Sequence, residues 1–274
     1  MQKRSALFRN TRRGENLTKI YYFSGTGNSL WSARKIAESI DGECALINIG
    51  SEVWKGETAV EADAVVLLFP SYAFGLPLAV RRFAMNAVFK TPYLAAFVTF
   101  GSTPGGTLAS LSRILKRKNI DRVYFGRIPA VENYIAIFGS PKEKTKRRRL
   151  EMQTEATGEA ARCVAERRVN RINVFRPFSA FIWLLFSIAL KFFYKWYRVS
   201  DDCNACGVCE KLCPVSAVSI RDVSGKLRPV FSAKCEHCQG CLNWCPKKAI
   251  HFGLLNAGVA RYHHPEVSLK DIVR

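Results

Sequence analysis

Lys19-Ile20-Tyr21-Tyr22-Phe23-Ser24-Gly25-Thr26-Gly27-Asn28-Ser29-Leu30-Trp31-Ser32-Ala33-Arg34-Lys35-Ile36-Ala37 decides the larger part of the fold. Lys19 to Phe23 is a short apolar and aromatic run, and Leu30 to Ala37 sets apolar residues at helical spacing. Between them Ser24 to Ser29 forms a hydroxyl-rich turn, so the reading is strand, tight loop, helix. Such a loop captures phosphate without a cation. Two glycines let backbone N–H groups point inward, and the helix N-terminus adds its positive end. Ser24, Thr26 and Ser29 offer hydroxyls, and Asn28 offers an amide. A glycine-rich turn before a helix also occurs with no ligand at all. A Walker loop needs Gly-Lys followed by Ser or Thr, and a dinucleotide fingerprint needs a third glycine; neither is here.

Outward from this loop, Cys44 to Ile49, Ala64 to Phe69, Leu94 to Phe100 and Arg122 to Ile128 read as further strands. Helices are expected near residues 77 to 88 and 106 to 119. A run as apolar as Ala64-Val65-Val66-Leu67-Leu68-Phe69 suits a parallel strand covered on both faces. Strands alternating with helices imply an α/β doubly wound five-stranded parallel sheet, with ligands beyond the carboxyl ends of the strands. Two loops fall at those ends: Pro70-Ser71-Tyr72-Ala73-Phe74-Gly75-Leu76-Pro77 and Gly101-Ser102-Thr103-Pro104-Gly105-Gly106.

The turn at 24–29 resembles the S/T-x-T-G-x-S/T loop with which flavodoxins hold the terminal phosphate of FMN. The resemblance implies the strand order 2-1-3-4-5 and places the two later loops beside the isoalloxazine ring. An aromatic there can stack on the flavin, and glycine-rich backbone can approach its edge. Tyr72 is the preferred stacking residue and Phe74 the second; an ordinary turn with a core aromatic is the other reading. Glu132-Asn133-Tyr134, after the fifth strand, is a third candidate contact.

Eight of the ten cysteines form two copies of C-x2-C-x2-C-x3-C-P: Cys203, Cys206, Cys209, Cys213 with Pro214, and Cys235, Cys238, Cys241, Cys245 with Pro246. Three thiolates on one tight loop can reach three corners of a [4Fe-4S] cube. Structural zinc and, in an oxidising compartment, disulfides remain as alternatives, and His237 occupies a position the motif leaves free. The pattern resembles the bacterial dicluster ferredoxins. That resemblance implies crossed ligation: Cys203, Cys206, Cys209 and Cys245 on one cluster, Cys235, Cys238, Cys241 and Cys213 on the other. Cys44 and Cys163 are left over as ordinary thiols.

Taken together, the chain resembles proteins in which a flavodoxin-like FMN domain precedes a 2[4Fe-4S] ferredoxin module. The expected division is a basic, loosely packed leader at 1–17, the FMN-binding domain at 18–139 and a helical linker at 140–198. A small α+β dicluster ferredoxin domain at 199–253 and a tail at 254–274 follow. In the linker, Ser140-Pro141-Lys142-Glu143 reads as a capping box opening a solvated, basic helix to about Arg171. Phe178 to Leu190 carries no charge, yet thirteen residues are too few for a bilayer that needs about 20. Residues 178–198 either clamp the ferredoxin module to the first domain or lie on an anionic membrane.

The implied function is electron transfer between two [4Fe-4S] clusters and FMN in one chain. A flavin-dependent reductase of a small quinone-like substrate and a membrane-associated redox subunit are the alternatives. With 42 Lys and Arg against 22 Asp and Glu the formal charge is +20. Cofactors would bring this to about +14. So basic a surface attracts acidic partners, ranked as an acidic redox protein such as a ferredoxin or reductase, then nucleic acid, then anionic membrane. No nucleic-acid motif accompanies the charge. Residues 1–19 have no apolar secretory core, so the expected location is cytoplasmic, with the inner membrane face as a peripheral alternative.

Overall fold

The computed structural model describes residues 7–10, 16–172, 177–253 and 259–273. The first half runs β1 (Leu7–Asn10), β2 (Leu17–Tyr22), α1 (Asn28–Ser39), β3 (Gly42–Asn48), α2 (Ile49–Glu52), β4 (Thr58–Glu61) and β5 (Ala64–Pro70). It continues with α3 (Leu78–Asn86), β6 (Ala87–Lys90), β7 (Leu94–Phe100), α4 (Thr107–Arg117), β8 (Val123–Pro129), α5 (Ile135–Phe138) and α6 (Glu143–Ala165). Five strands pair in parallel in the order β3-β2-β5-β7-β8, the expected 2-1-3-4-5 winding. β4 and β6 pair with each other as a separate short parallel ribbon.

Period-two alternation explains the layering. In β5, Val65, Leu67 and Phe69 pack with Val80 and Phe83 of α3 and Leu111 of α4, whereas Val66 and Leu68 pack with Ile36 of α1 and Ala160 of α6. Both faces are therefore dry, which is why the strand is continuously apolar. Leu67 is fully buried. Leu67→Ala should cost about 2–5 kcal/mol, read as a lower denaturation midpoint.

Three segments depart from expectation. Within the supposed leader, Leu7–Asn10 pairs antiparallel with β3, from Leu7 opposite Ala45 to Asn10 opposite Gly42, and covers an edge left open by the parallel sheet; the remainder of 1–15 lies outside the described residues. α6 begins at Glu143, with Lys142 as a cap that makes no side-chain bond. Ser140 lies two residues too early to cap it, so the capping box does not form. The helix stops at Ala165 instead of Arg171, because Arg167 turns left-handed (φ 49°). Its N–H then bonds Val164 O at 3.1 Å and that of Arg168 bonds Cys163 O at 3.0 Å. Nor is α6 a solvated linker on all sides: Gln153 Nε2 donates to Asn28 O (3.0 Å) and Thr157 Oγ1 to Ser32 Oγ (3.0 Å), fixing it against α1.

The second half runs α7 (Pro177–Phe193), a 3-10 turn (Tyr194–Trp196), β9 (Tyr197–Val199), α8 (Val208–Lys211), β10 (Val218–Val223) and β11 (Lys226–Phe231). Then come α9 (Gly240–Asn243), β12 (Ile250–Phe252) and α10 (Leu269–Ile272). Residues 178–198 are thus not one helix. β10 and β11 form a hairpin, and β9 pairs antiparallel with β12, closing the two cysteine loops into one unit. Leu212, Leu242, Trp244 and Phe252 continue the core that contains Phe23 and Leu76 of the first half. Among the described residues no helix is long and apolar enough to cross a membrane.

Candidate functional site

β2 ends beside its neighbours β3 and β5, where the strand connections diverge, and the turn that follows opens onto a cavity of about 280 Å³. Ser24, Gly25, Thr26, Asn28 and Ser29 line it, with Pro70, Ser71, Tyr72 and Phe74 and with Gly101, Ser102 and Thr103. Glu132, Asn133 and Tyr134 complete the same wall. Four expected residues lie behind that lining. Gly27 (φ 97°) makes the left-handed turn into α1. Gly75 bridges back to Tyr72 under the Trp183 indole. Gly105 lies against Phe74, and Gly106 donates its N–H to Phe74 O at 2.8 Å.

The loop's polar side chains are already organised, by one partner within the loop and by others far along the chain. Ser24 Oγ accepts from Gly27 N (3.1 Å), Ser29 Oγ bonds Thr99 Oγ1 (2.8 Å), and Thr26 Oγ1 accepts from Asn133 Nδ2 (2.6 Å). Asn28 is a girder: its Nδ2 donates to Val131 O (3.0 Å), and its Oδ1 accepts from the Tyr262 hydroxyl (2.8 Å). Its amide therefore braces the loop. His264 N donates to Thr26 O (2.8 Å), His264 stacks on Trp31, and Arg34 pairs with Asp271 at 2.7 Å. Residues 259–273 are thus a strap over the loop and not a tail. Tyr262→Phe should lose about 1 kcal/mol of stability, measured by denaturant titration.

The roof of the cavity comes from α7, the expected clamp, and from the second cysteine motif. Ile182 and Phe186 of α7 cover one side, and Trp183 Nε1 donates to Leu76 O at 3.0 Å. Glu236 and His237, inside the second cysteine motif, form another side. Glu236 accepts from the first two backbone N–H groups of α3, Ala79 (2.7 Å) and Leu78 (2.9 Å). It lies where a helix N-terminus favours an anion, yet burial outweighs these bonds and raises its pKa to about 7. Burial likewise lowers the His237 pKa to about 4. Tyr72 is raised well above the phenolic range, first by burial and then by Cys238 and Glu236.

The second motif touches the phosphate loop itself. A Cβ on Gly25 would lie 2.6 Å from Cys238 O and 3.1 Å from its Sγ, so only glycine fits between loop and thiol. Trp244 Nε1 donates to Gly25 O at 3.1 Å, locking the pair.

Cysteines of the two motifs come together across the sequence. Cys203, Cys206, Cys209 and Cys245 line one small void near the surface, where Cys206 is exposed. Cys213 is the first-motif thiol that weighs on Cys235 and Cys238. Burial raises the thiols of Cys209 and Cys235 to about 12 and those of Cys238 and Cys241 further, and neighbouring thiols add to this. Holding them as thiolates therefore demands positive charge, which iron supplies. Among the described residues no group of three His, Cys, Asp or Glu is arranged to hold a single metal ion. Cys44 and Cys163 lie buried in β3 and α6.

The cavity's polar lining suits a flavin. The hydroxyls of Tyr72 and Tyr134 and both ring nitrogens of His237 are buried without a protein hydrogen-bond partner, and all three residues line it. Buried polar atoms rarely stay unsatisfied. A flat heterocycle edged with donors and acceptors, its phosphate on the turn at 24–29, fits this set.

A family described as "4Fe-4S dicluster domain" matches residues 202–250, a span holding all eight motif cysteines. No curated protein matches the chain. Among solved structures, a flavodoxin from the domain Archaea is 15% identical over 53% of this chain and 99% of its own, with a TM-score of 0.31. An FMN-dependent NADH-azoreductase from Bacillus anthracis str. Ames Ancestor, in complex with FMN, is 12% identical over 57% and 100%, with a TM-score of 0.37. An NAD(P)H:quinone oxidoreductase from Methanothermobacter marburgensis is 9% identical over 58% and 100%, with a TM-score of 0.36. At such scores these likenesses add nothing to the strand order, which is flavodoxin's own. The chain therefore joins a flavodoxin-like doubly wound domain to a 4Fe-4S dicluster ferredoxin domain, in that order.

Proposed function

We propose that this protein carries electrons between a redox partner and FMN through two [4Fe-4S] clusters held in the same chain. The observation that carries this reading is the contact of Cys238 with Gly25, which makes the second cysteine loop a wall of the flavin cavity. FMN in that cavity would exchange electrons singly or in pairs, and each cluster singly. The chain's own residues set the order of the path. Cys213, Cys235, Cys238 and Cys241 hold the cluster next to the cavity. Cys203, Cys206, Cys209 and Cys245 hold the one that meets solvent, since Cys206 is exposed. Lys211, Lys247 and Lys248 stand exposed on the loops around it and suit an acidic electron carrier. Ser24, Thr26 and Ser29 hold the phosphate, Tyr72 covers the ring, and Ile182, Phe186 and His237 keep water from it.

Anaerobic purification with iron, sulfide and flavin counted on one sample tests the proposal. About eight irons and one FMN per chain are expected, both chromophores bleaching with reductant. Thr26→Ala and Ser29→Ala should weaken flavin retention while leaving iron intact. A chain that takes up iron but no flavin under reconstitution sinks the FMN half of the reading. A chain that binds both, but whose flavin stays oxidised when the clusters are reduced, sinks the path.

A further inference from the structure

The outer side of α7 plays no part in that path. Its inner side, Ile182, Trp183 and Phe186, meets the cavity and Leu76. On the opposite side Phe178, Phe181, Leu185, Ile188 and Phe192 recur at three- and four-residue intervals, each at least half exposed. A helix apolar on both sides is buried on both sides in its working environment. Seventeen residues give about 26 Å of helix, and it does not qualify as a spanning segment. It is followed at once by the exposed Lys195, Trp196 and Arg198, residues that favour the headgroup zone.

We propose that the outer face of α7 docks on the surface of an anionic lipid bilayer, lying in the plane of the interface. Charge selects this occupant over a second copy of the chain. No Asp or Glu occurs between Glu166 and Asp201, a stretch that, beyond the Arg168 already paired with Glu159 and Glu166, carries Arg171, Arg176, Lys191, Lys195 and Arg198. Two copies meeting through this face would bring these flanks together, on chains whose formal charge is already +20. Anionic headgroups meet the same cations with attraction, about 1 kcal/mol for each one near the surface. The apolar stripe then enters the acyl boundary. This inference goes beyond the electron path and does not depend on it, since none of the outward residues lines the cavity.

Flotation of the full, anaerobically purified chain with phosphatidylglycerol–phosphatidylcholine vesicles, against phosphatidylcholine alone, tests it. The wild type should float with the anionic vesicles and lose at least about tenfold in bound fraction on neutral ones or at high salt. The triple variant Phe181→Ser, Leu185→Ser, Ile188→Ser should lose binding while keeping its iron and flavin content, which shows that it folds. Lys195→Glu with Arg198→Glu should weaken binding to anionic vesicles selectively. No flotation at low salt, or equal flotation with both vesicles, overturns the proposal. So does a lipid-free dimer, seen by sedimentation, that the triple serine variant returns to monomer, because the face then belongs to a second copy.

Discussion

Gly25→Val is expected to strip flavin from the chain and break the neighbouring iron–sulfur site in one step. The Cβ alone would lie 2.6 Å from the Cys238 carbonyl oxygen and 2.8 Å from the Cys238 Cβ, both parts of a loop that cannot swing aside. Gly240, the next residue of that loop to meet Gly25, has its own Cβ position 3.0 Å from Gly25 O, so there is no slack from that side either. Overpacking of a tight contact costs about 1–3 kcal/mol, and here it falls on two cofactor seats at once. Flavin per chain should drop about tenfold and iron by about half, the surface-side site surviving because its void does not touch Gly25. Iron and flavin analysis of variant and wild type, purified side by side without air, reads both. A variant with full flavin and full iron would mean that the two loops are not in contact in solution.

The second large effect is expected from Cys245→Ala, and it runs against sequence proximity. Cys245 follows Cys235, Cys238 and Cys241 in its own motif, yet it shares a void with Cys203, Cys206 and Cys209. Cys209 feels Cys245 beside Cys206 and Cys203 of its own motif. Loss of Cys245 should remove the surface-side site and leave the flavin in place and the inner site spectroscopically intact. Cys213→Ala should do the reverse, removing the inner site, and the cavity wall it supports should then release flavin. Magnetic resonance of the reduced variants separates the two centres. Selective loss of the inner site in Cys245→Ala would show that each motif ligates its own cluster.

Much of this was legible in the sequence because local rules carry it. The turn at 24–29 announces itself by two glycines among hydroxyls, the apolar run of β5 suits a strand dry on both faces, and the cysteine spacing is a geometric signature. What could not be read is set by segments meeting across long stretches of chain. Glu236 looks like a free position in the cysteine motif, and nothing local says that it caps a helix 157 residues earlier. Asn28 has the composition of a phosphate ligand, and its role as a brace depends on Tyr262, 234 residues later. The apolar run at 178–190 left clamp and interfacial helix open, because periodicity does not say which of two apolar sides meets protein. The structure gives the inner side clamping contacts and leaves the outer one exposed. Leu7–Asn10 was lost in basic surroundings, since a four-residue edge strand draws its stability from its partner β3 and not from its own pattern.

The strap at 259–273 ties the phosphate turn to chain that follows both cysteine loops. His264 and Tyr262 hold the turn that would grip the flavin phosphate. The nucleotide seat is therefore closed by chain far beyond the turn in sequence, and loosening that strap would loosen the turn with it.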